Sequence, residues 1–421
     1  MFCKASLITV ALALLATASP IAQPEPVAEG ISIPLTKRSS LTRADGTFDH
    51  DRAIIQTTRT LNKHRQNLIN LEANRGKEAF NPGAEILERA VLPGHLAKRQ
   101  SEKLTDQEDD TEWTGTISIG SNNQQFVIDF DTGSSDLWVP NASKCTGCSG
   151  KHTYSSSKSK TSKAQSGTFS IGYADGSSTS GPIFTDDVTI AGVESTNQYF
   201  AAVTDLSAFS DDPLDGILGL AFQDISSLNA PPFFQNAFSE GAVPTGEFAF
   251  KLASTGSTLY LGGTDTSLYT GSIEFHDVTN SGYWQTSGGS AVVAGKTVVS
   301  KFDAIIDSGT TIMYGPAADV KKFYAAIPGS KEYDTKNVMY SFPCDAVPDV
   351  AFSWGGKEWA ITADNFNLGT ETSGSSQCVG ALSGQNLGLG TGVWLLGDSF
   401  MKNVYTVFDV SKNAVGFAEL K

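Results

Sequence analysis

The stretch VIDFDTGSSDLWVP, from Val127 to Pro140, has a near copy in AIIDSGTTIMYGP, from Ala304 to Pro316. In each, an aspartate (Asp131, Asp307) closes an apolar run, a glycine follows two positions later, and a proline stands at the same distance beyond. Downstream of each copy comes an apolar pair, a glycine and then a phenylalanine: DGILGLAF from Asp215 to Phe222, and VWLLGDSF from Val393 to Phe400. A chain that repeats this order of features is expected to fold as two related lobes, with the aspartate turns meeting at their junction.

One Asp-Thr-Gly or Asp-Ser-Gly alone would be an ordinary turn, in which aspartate bonds nearby N–H groups and glycine supplies a positive φ. Two copies at the ends of buried strands are different, because a carboxylate buried there must be paired or hydrogen-bonded. Partners stand alongside: Thr132 and Ser308 next to the aspartates, Ser134 and Thr310 three positions on, and Gly133 and Gly309 to let backbone and substrate approach. Two converging carboxylates cannot easily both ionise and share one proton. One can then act as base toward a water while the other donates to a carbonyl oxygen, which is the chemistry of peptide hydrolysis without a covalent intermediate.

The ends and the charge distribution set the context. Lys4 precedes an apolar run from Ala5 to Ala16 that is too short to span a bilayer and ends in small residues, so residues 1–18 read as a secretory signal peptide. Cys3 leaves with it, and Cys145, Cys148, Cys344 and Cys378 allow three pairings, of which proximity favours Cys145–Cys148 and Cys344–Cys378. The motif CTGC would also suit half a zinc site or a redox pair, but no second ligand pair stands at zinc spacing. Residues 19–99 carry 12 Lys and Arg against 9 Asp and Glu, a net of +3, whereas residues 100–421 carry 17 against 36, a net of −19. The stretch Arg52 to Arg89 reads as helical, and Lys98-Arg99 is a dibasic processing site, so 19–99 is expected to be a removable pro-segment drawn to an acidic body. That acidity argues against nucleic acid as a partner.

From Trp113 onward, short apolar runs alternate with turn signals, and helices are expected only at Pro232–Glu240 and Pro316–Ile327. The fold class is mostly β.

In order, the signal, the basic pro-segment, DTGSSDLWVP, IGYADGS, DGILGLAF, IIDSGTT and WLLGDSF together resemble the pepsin family of aspartic proteases, of the secreted fungal type. The resemblance implies a bilobal fold around a cleft, lobes at 100–285 and 286–421, and Asp131 and Asp307 as the catalytic dyad. It also implies a hairpin flap with Tyr173 at its tip bonding Trp138, a pro-segment lysine placed on the dyad (Lys63, Lys77 and Lys98 are candidates), and inhibition by pepstatin-type compounds. No cofactor or metal is implied, and the protein is expected to be a monomer acting on proteins and peptides, with no nucleic acid or membrane partner. Ala174 departs from the usual flap glycine, and the Cys145–Cys148 loop is tighter than in many members.

Two rival readings use the same residues. Glycoside hydrolases also work with two carboxylates, although nothing in that chemistry requires matched turns. A catalytically silent binding protein on this scaffold is the other, and such relatives usually lose an aspartate or the flap tyrosine. Asp129, two before Asp131, and Asp175, two past Tyr173, read either as solvated surface carboxylates or as facing the pocket for the residue before the cleaved bond, where the resemblance to fungal members with an acid in the flap implies that lysine is accepted beside large apolar residues. Asn141-Ala142-Ser143 is a candidate glycosylation site. Export is expected, with the vacuole as the alternative.

Overall fold

The computed structural model describes residues 30–37, 41–94, 96, 113–172, 178–209, 212–280 and 282–421. The expected signal peptide, the processing pair Lys98-Arg99 and the flap residues Tyr173, Ala174 and Asp175 lie outside the described residues.

The duplicated sequence feature is a duplicated topology. Strand Gln124–Asp131 runs parallel to Gly216–Gly219, with Asp131 opposite Gly219, and Leu137–Pro140 pairs antiparallel on the other side of that short strand. In the second half Lys296–Ile306 runs parallel to Val393–Leu396, and Met313–Gly315 pairs antiparallel with it. Each apolar-glycine strand is thus slotted between the strand that leads into an aspartate turn and the strand that leaves it. Only glycine fits the slot: a Cβ at Gly219 would strike the Ser135 backbone, and one at Gly397 would strike the Thr310 carbonyl.

The fold is mostly β and bilobal. Among the described residues a 13-stranded sheet carries most of the first half, while 7- and 4-stranded sheets are built from strands beginning at Gln285. The last two strands cross back: Val404–Asp409 pairs with Glu247–Lys251, and Ala414–Leu420 with Tyr269–Asp277. Near the end of the first half, the buried Trp284 donates its Nε1–H to the Leu220 carbonyl at 3.0 Å.

Both expected helices of the body form, as Phe233–Ser239 and Ala317–Ala325, each entered through a proline whose fixed φ suits a helix start. The four-residue helices Ala363–Phe366 and Asp398–Met401 were not foreseen. The helical reading of Arg52–Arg89 holds only in part. The helix runs His50–Arg75, capped where Asp49 accepts from the Arg52 N–H, and it stops where Gly76 turns to φ +86°. Beyond a short 3-10 turn at Lys77–Ala79, Pro82 and Gly83 keep the chain non-helical through Leu92.

Ahead of the helix, Ile31–Lys37 forms a strand that sequence reading passed over, paired antiparallel with Ser257–Leu261 and, at its end, with Trp113 and Thr114. Ile33 and Leu35 of this strand are buried in the main core. Both favoured disulfides are present, Cys145–Cys148 with Cα atoms 5.7 Å apart and Cys344–Cys378 with Cα atoms 5.1 Å apart, so the CTGC sulfurs are bonded to each other and not held as zinc ligands. No helix of the described residues is long and apolar enough to cross a membrane.

Candidate active site

Asp131 ends its strand and Asp307 follows directly on Ile306, so both carboxyls emerge where a buried strand stops; they are 2% and 0% exposed. The two turns are cross-linked. Thr132 N–H donates to Ser308 Oγ at 3.0 Å, Ser308 N–H donates to Thr132 Oγ1 at 2.9 Å, and the hydroxyls donate onward to Ile306 O and Phe130 O. Each aspartate also accepts the N–H two residues on, from Gly133 at 2.8 Å and Gly309 at 2.9 Å, and Thr310 Oγ1 donates to Asp307 at 2.7 Å. A Cβ on Gly133 would overlap the Asp307 carboxyl, and one on Gly309 would overlap that of Asp131. Each glycine therefore faces the opposite aspartate, which is the convergence expected of two related turns.

A lysine stands between the carboxyls. Lys63, from the middle of the long helix, places Nζ 3.1 Å from Asp131 Oδ1, 3.0 Å from Asp307 Oδ1 and 3.2 Å from the Gly309 carbonyl. Of the other two candidates, Lys77 is exposed and pairs with Glu72 at 3.5 Å, and Lys98 is outside the described residues. One turn on, Asn67 Nδ2 donates to the Gly133 carbonyl at 2.8 Å, so the helix contacts both aspartate turns in matching fashion. Asn70 and Asn74 extend the row, donating to Ile225 O, Ser227 Oγ, Asp224 O and Ser226 O. The little apolar bulk of this segment has its explanation here: the helix docks by a row of amides as well as by the buried Leu68 and Leu71.

His64 is a residue that sequence reading missed. It is fully buried, its Nε2 lies 3.3 Å from Asp307 Oδ2 without hydrogen-bond alignment, and its ring packs beside Tyr283 at 5.9 Å. Burial lowers its pKa, with Lys63 adding to that and Asp307 and Asp131 opposing. Burial also opposes the charge on Lys63, but the two aspartates outweigh it and hold the ammonium above the ordinary lysine value. Burial pushes both carboxyls up. At Asp307 the neighbouring Lys63 and His64 win, and the group is held well below the carboxylate range; at Asp131 burial prevails over Lys63, and the nearby Asp307 adds to the rise. With Lys63 and His64 in place the pair therefore combines an ionised carboxyl and a protonation-prone one around one point.

Behind the dyad, Asp398 donates its N–H to Thr310 O at 2.8 Å while its carboxyl is buried and pushed well up by that burial, with Lys402 and Trp113 opposing. Sequence reading saw only a glycine strand there.

The remaining candidates separate into two groups. Asp129 and Ser134 line the same cavity as Asp131, with Trp138, Ile171 and Ile217 as apolar wall. Asn141 is buried: its Nδ2 donates to Ala202 O at 3.3 Å and its Oδ1 accepts from Ser143 N–H and Oγ at 2.8 and 2.7 Å. No group of three or more His, Cys, Asp or Glu stands ready to hold a metal among the described residues.

Comparison with known proteins agrees with this geometry. Residues 112–420 match the model of the eukaryotic aspartyl protease family. The chain is 46% identical to an aspartic protease of Phaffia rhodozyma over 75% of its own length and 78% of that protein's. It is 36% identical to pepsin A of Sus scrofa over 73% and 81%, and 37% identical to pepsin II-2/3 of Oryctolagus cuniculus over the same shares. With two aspartate turns locked together by their own hydroxyls and a family match across nearly the whole body, the chain belongs to the eukaryotic aspartyl proteases, the pepsin family, and is a protease.

Proposed function

We propose that the protein is a secreted aspartic endopeptidase made as a precursor. Asp131 and Asp307 activate a water between them, which attacks the peptide carbonyl while the protonated partner donates to its oxygen. The observation that carries this is the shared position of Lys63 Nζ, within hydrogen-bond distance of both aspartates, where a water would be polarised by both once the lysine leaves. Thr132, Ser308, Ser134 and Thr310 hold the carboxyls in place, and Gly133 and Gly309 let substrate backbone approach. The body divides into lobes at 100–285 and 286–421, and Tyr173 is the flap residue that acts on the substrate, with Trp138 in support.

Residues 19–99 act as an intramolecular inhibitor, removed after Lys98-Arg99 once acid weakens their attraction to the acidic body. Large apolar residues flank the scissile bond, and Asp129 and Asp175 let lysine precede it. The product is exported after removal of residues 1–18. The test is to acidify purified precursor in the presence of a general protein substrate, with and without pepstatin. Pepstatin-sensitive cleavage confined to acid, and a new N-terminus near Gln100, is the expected result. Activity that peaks at neutral pH, or active enzyme that still carries residues 19–60, would refute the reading.

A further inference from the structure

We propose that the place Arg59 holds beside the dyad is a subsite for a basic side chain of the substrate, arginine above lysine, read by the carboxylate of Asp212 and the ring of Phe209. This rests on the protease reading above and adds a residue to its specificity.

The precursor fills this place with a guanidinium of its own. Arg59 sits one helical turn before Lys63 and lines the same cavity as Asp129, Asp131 and Trp138. Its Nη2 is 3.2 Å from Asp212 Oδ2, and its guanidinium carbon lies 5.1 Å over the centre of the Phe209 ring. Both side chains of the pair are largely shielded, at 19% and 25% exposure, so water screens the attraction less than on an open surface. The acid is held by more than its own loop: Lys151 Nζ donates to the backbone carbonyls of Asp212 and Leu214 at 2.6 and 2.7 Å, fixing the segment. Phe209 is buried and packs against Trp138 at 5.5 Å, so the stacking surface is also rigid.

The distance from the dyad fits a substrate side chain. One helical turn separates Arg59 from Lys63 by about 6 Å along the axis, a span that an extended peptide covers in about two residues. A side chain within a few residues of the scissile bond can therefore reach the position Arg59 holds. A planar guanidinium satisfies both features at once, pairing with the carboxylate and stacking on the ring, whereas an ammonium does so less well. No arginine follows Arg99, so once the pro-segment leaves, the guanidinium must come from the substrate.

The test uses acid-activated enzyme and peptides identical except at one position, which carries arginine, lysine, citrulline or leucine; each of the three positions on either side of the bond is varied in turn. Citrulline keeps the shape of arginine without its charge. At about pH 5, where ordinary carboxylates are ionised, arginine should exceed citrulline roughly tenfold in kcat/KM at one position, mainly through KM, with lysine between. In Asp212→Asn that ratio should fall to near one, each enzyme being compared with its own leucine peptide, and Asp212→Glu should keep most of it. An arginine-to-citrulline ratio near one at every position, or one that survives Asp212→Asn, overturns the subsite. Failure to cleave any peptide, leucine included, would instead overturn the protease reading on which it rests.

Discussion

Thr132 and Ser308 exchange backbone N–H bonds with each other's hydroxyls, at 3.0 and 2.9 Å, and those hydroxyls donate to the carbonyls of Ile306 and Phe130. Both side chains are fully buried. The four bonds tie the strand ends that carry Asp131 and Asp307 to one another, so the separation of the two carboxyls is set by backbone and not by flexible side chains. Rigid placement of this kind is what shared-proton chemistry needs.

Removing either hydroxyl should loosen that link. Thr132→Ala or Ser308→Ala deletes two bonds and strands a buried N–H and a buried carbonyl, for a loss of roughly 1–3 kcal/mol. Calorimetry should show a lower Tm and peptide assays a lower kcat for each, with the double mutant losing less than the sum because the four bonds act as one unit. Ser308→Thr, which keeps the hydroxyl, should be milder. Unchanged Tm and kcat in both alanine variants would mean that the ring of bonds does not set the geometry.

Asp131→Asn and Asp307→Asn should both lower turnover by about a thousandfold or more, since each carboxyl has its own protonation role. Their effects on the precursor should differ. Asp307 is the group held ionised by Lys63 and His64, whereas burial favours the neutral form of Asp131. Asparagine imitates a neutral carboxyl, so Asp131→Asn should leave the pro-segment docked much as before, while Asp307→Asn should loosen it. Limited proteolysis of the two precursors near neutral pH measures this; equal susceptibility would contradict the assigned asymmetry.

The aspartate turns were legible because each is dictated locally: an apolar run, a carboxylate, a hydroxyl and a glycine that must face the other turn. The lysine was not, since Lys63, Lys77 and Lys98 look alike until a helix is laid in a particular register across a cleft. Gly76 carried the signal that ends the helix, yet the charged, leucine-containing stretch to Arg89 outweighed it. The row Asn67, Asn70 and Asn74 lies at helical spacing, but amides announce docking less plainly than leucines do. His64 and Asp398 owe their importance to burial next to Asp307 and Thr310, which no spacing along the chain reveals.

Lys63→Met should weaken the precursor because it leaves two carboxyls buried without their cation. Losing one partner of such a buried cluster costs about 2–5 kcal/mol. The variant precursor should release active enzyme at a higher pH than wild type. Lys77→Met is the control, because that side chain is exposed and its contact with Glu72 stays within its own segment. Identical release profiles for Lys63→Met and wild type would show that the salt bridge contributes nothing to docking.

The last prediction concerns what starts the release. Lys63 is held above the ordinary lysine value, so its contribution to docking is fully present below about pH 10 and cannot be the group that acid removes. Asp307 is held low, so its contribution is present above the ordinary carboxylate value and fades only as pH falls below about 4. His64 titrates earlier. Its pKa is lowered in the docked helix by burial, while an undocked, solvated imidazole binds a proton near pH 6.5, at about its ordinary value. The undocked state therefore takes up the proton first, and the stability His64 lends to docking is complete above that pH and declines as pH falls toward the lowered value. The groups around it are Lys63 on its own helix, Asp131 and Asp307 on the two turns, and Tyr283 against the ring. His64→Phe keeps an uncharged ring between Asp307 and Tyr283 and removes the titration. Its precursor should stay silent through the weakly acidic range and release enzyme only near the carboxylate range, a downward shift of about one to two pH units. Following the appearance of activity and of the new N-terminus across a pH series decides the matter: a release midpoint that does not move would leave the carboxylates as the sole trigger.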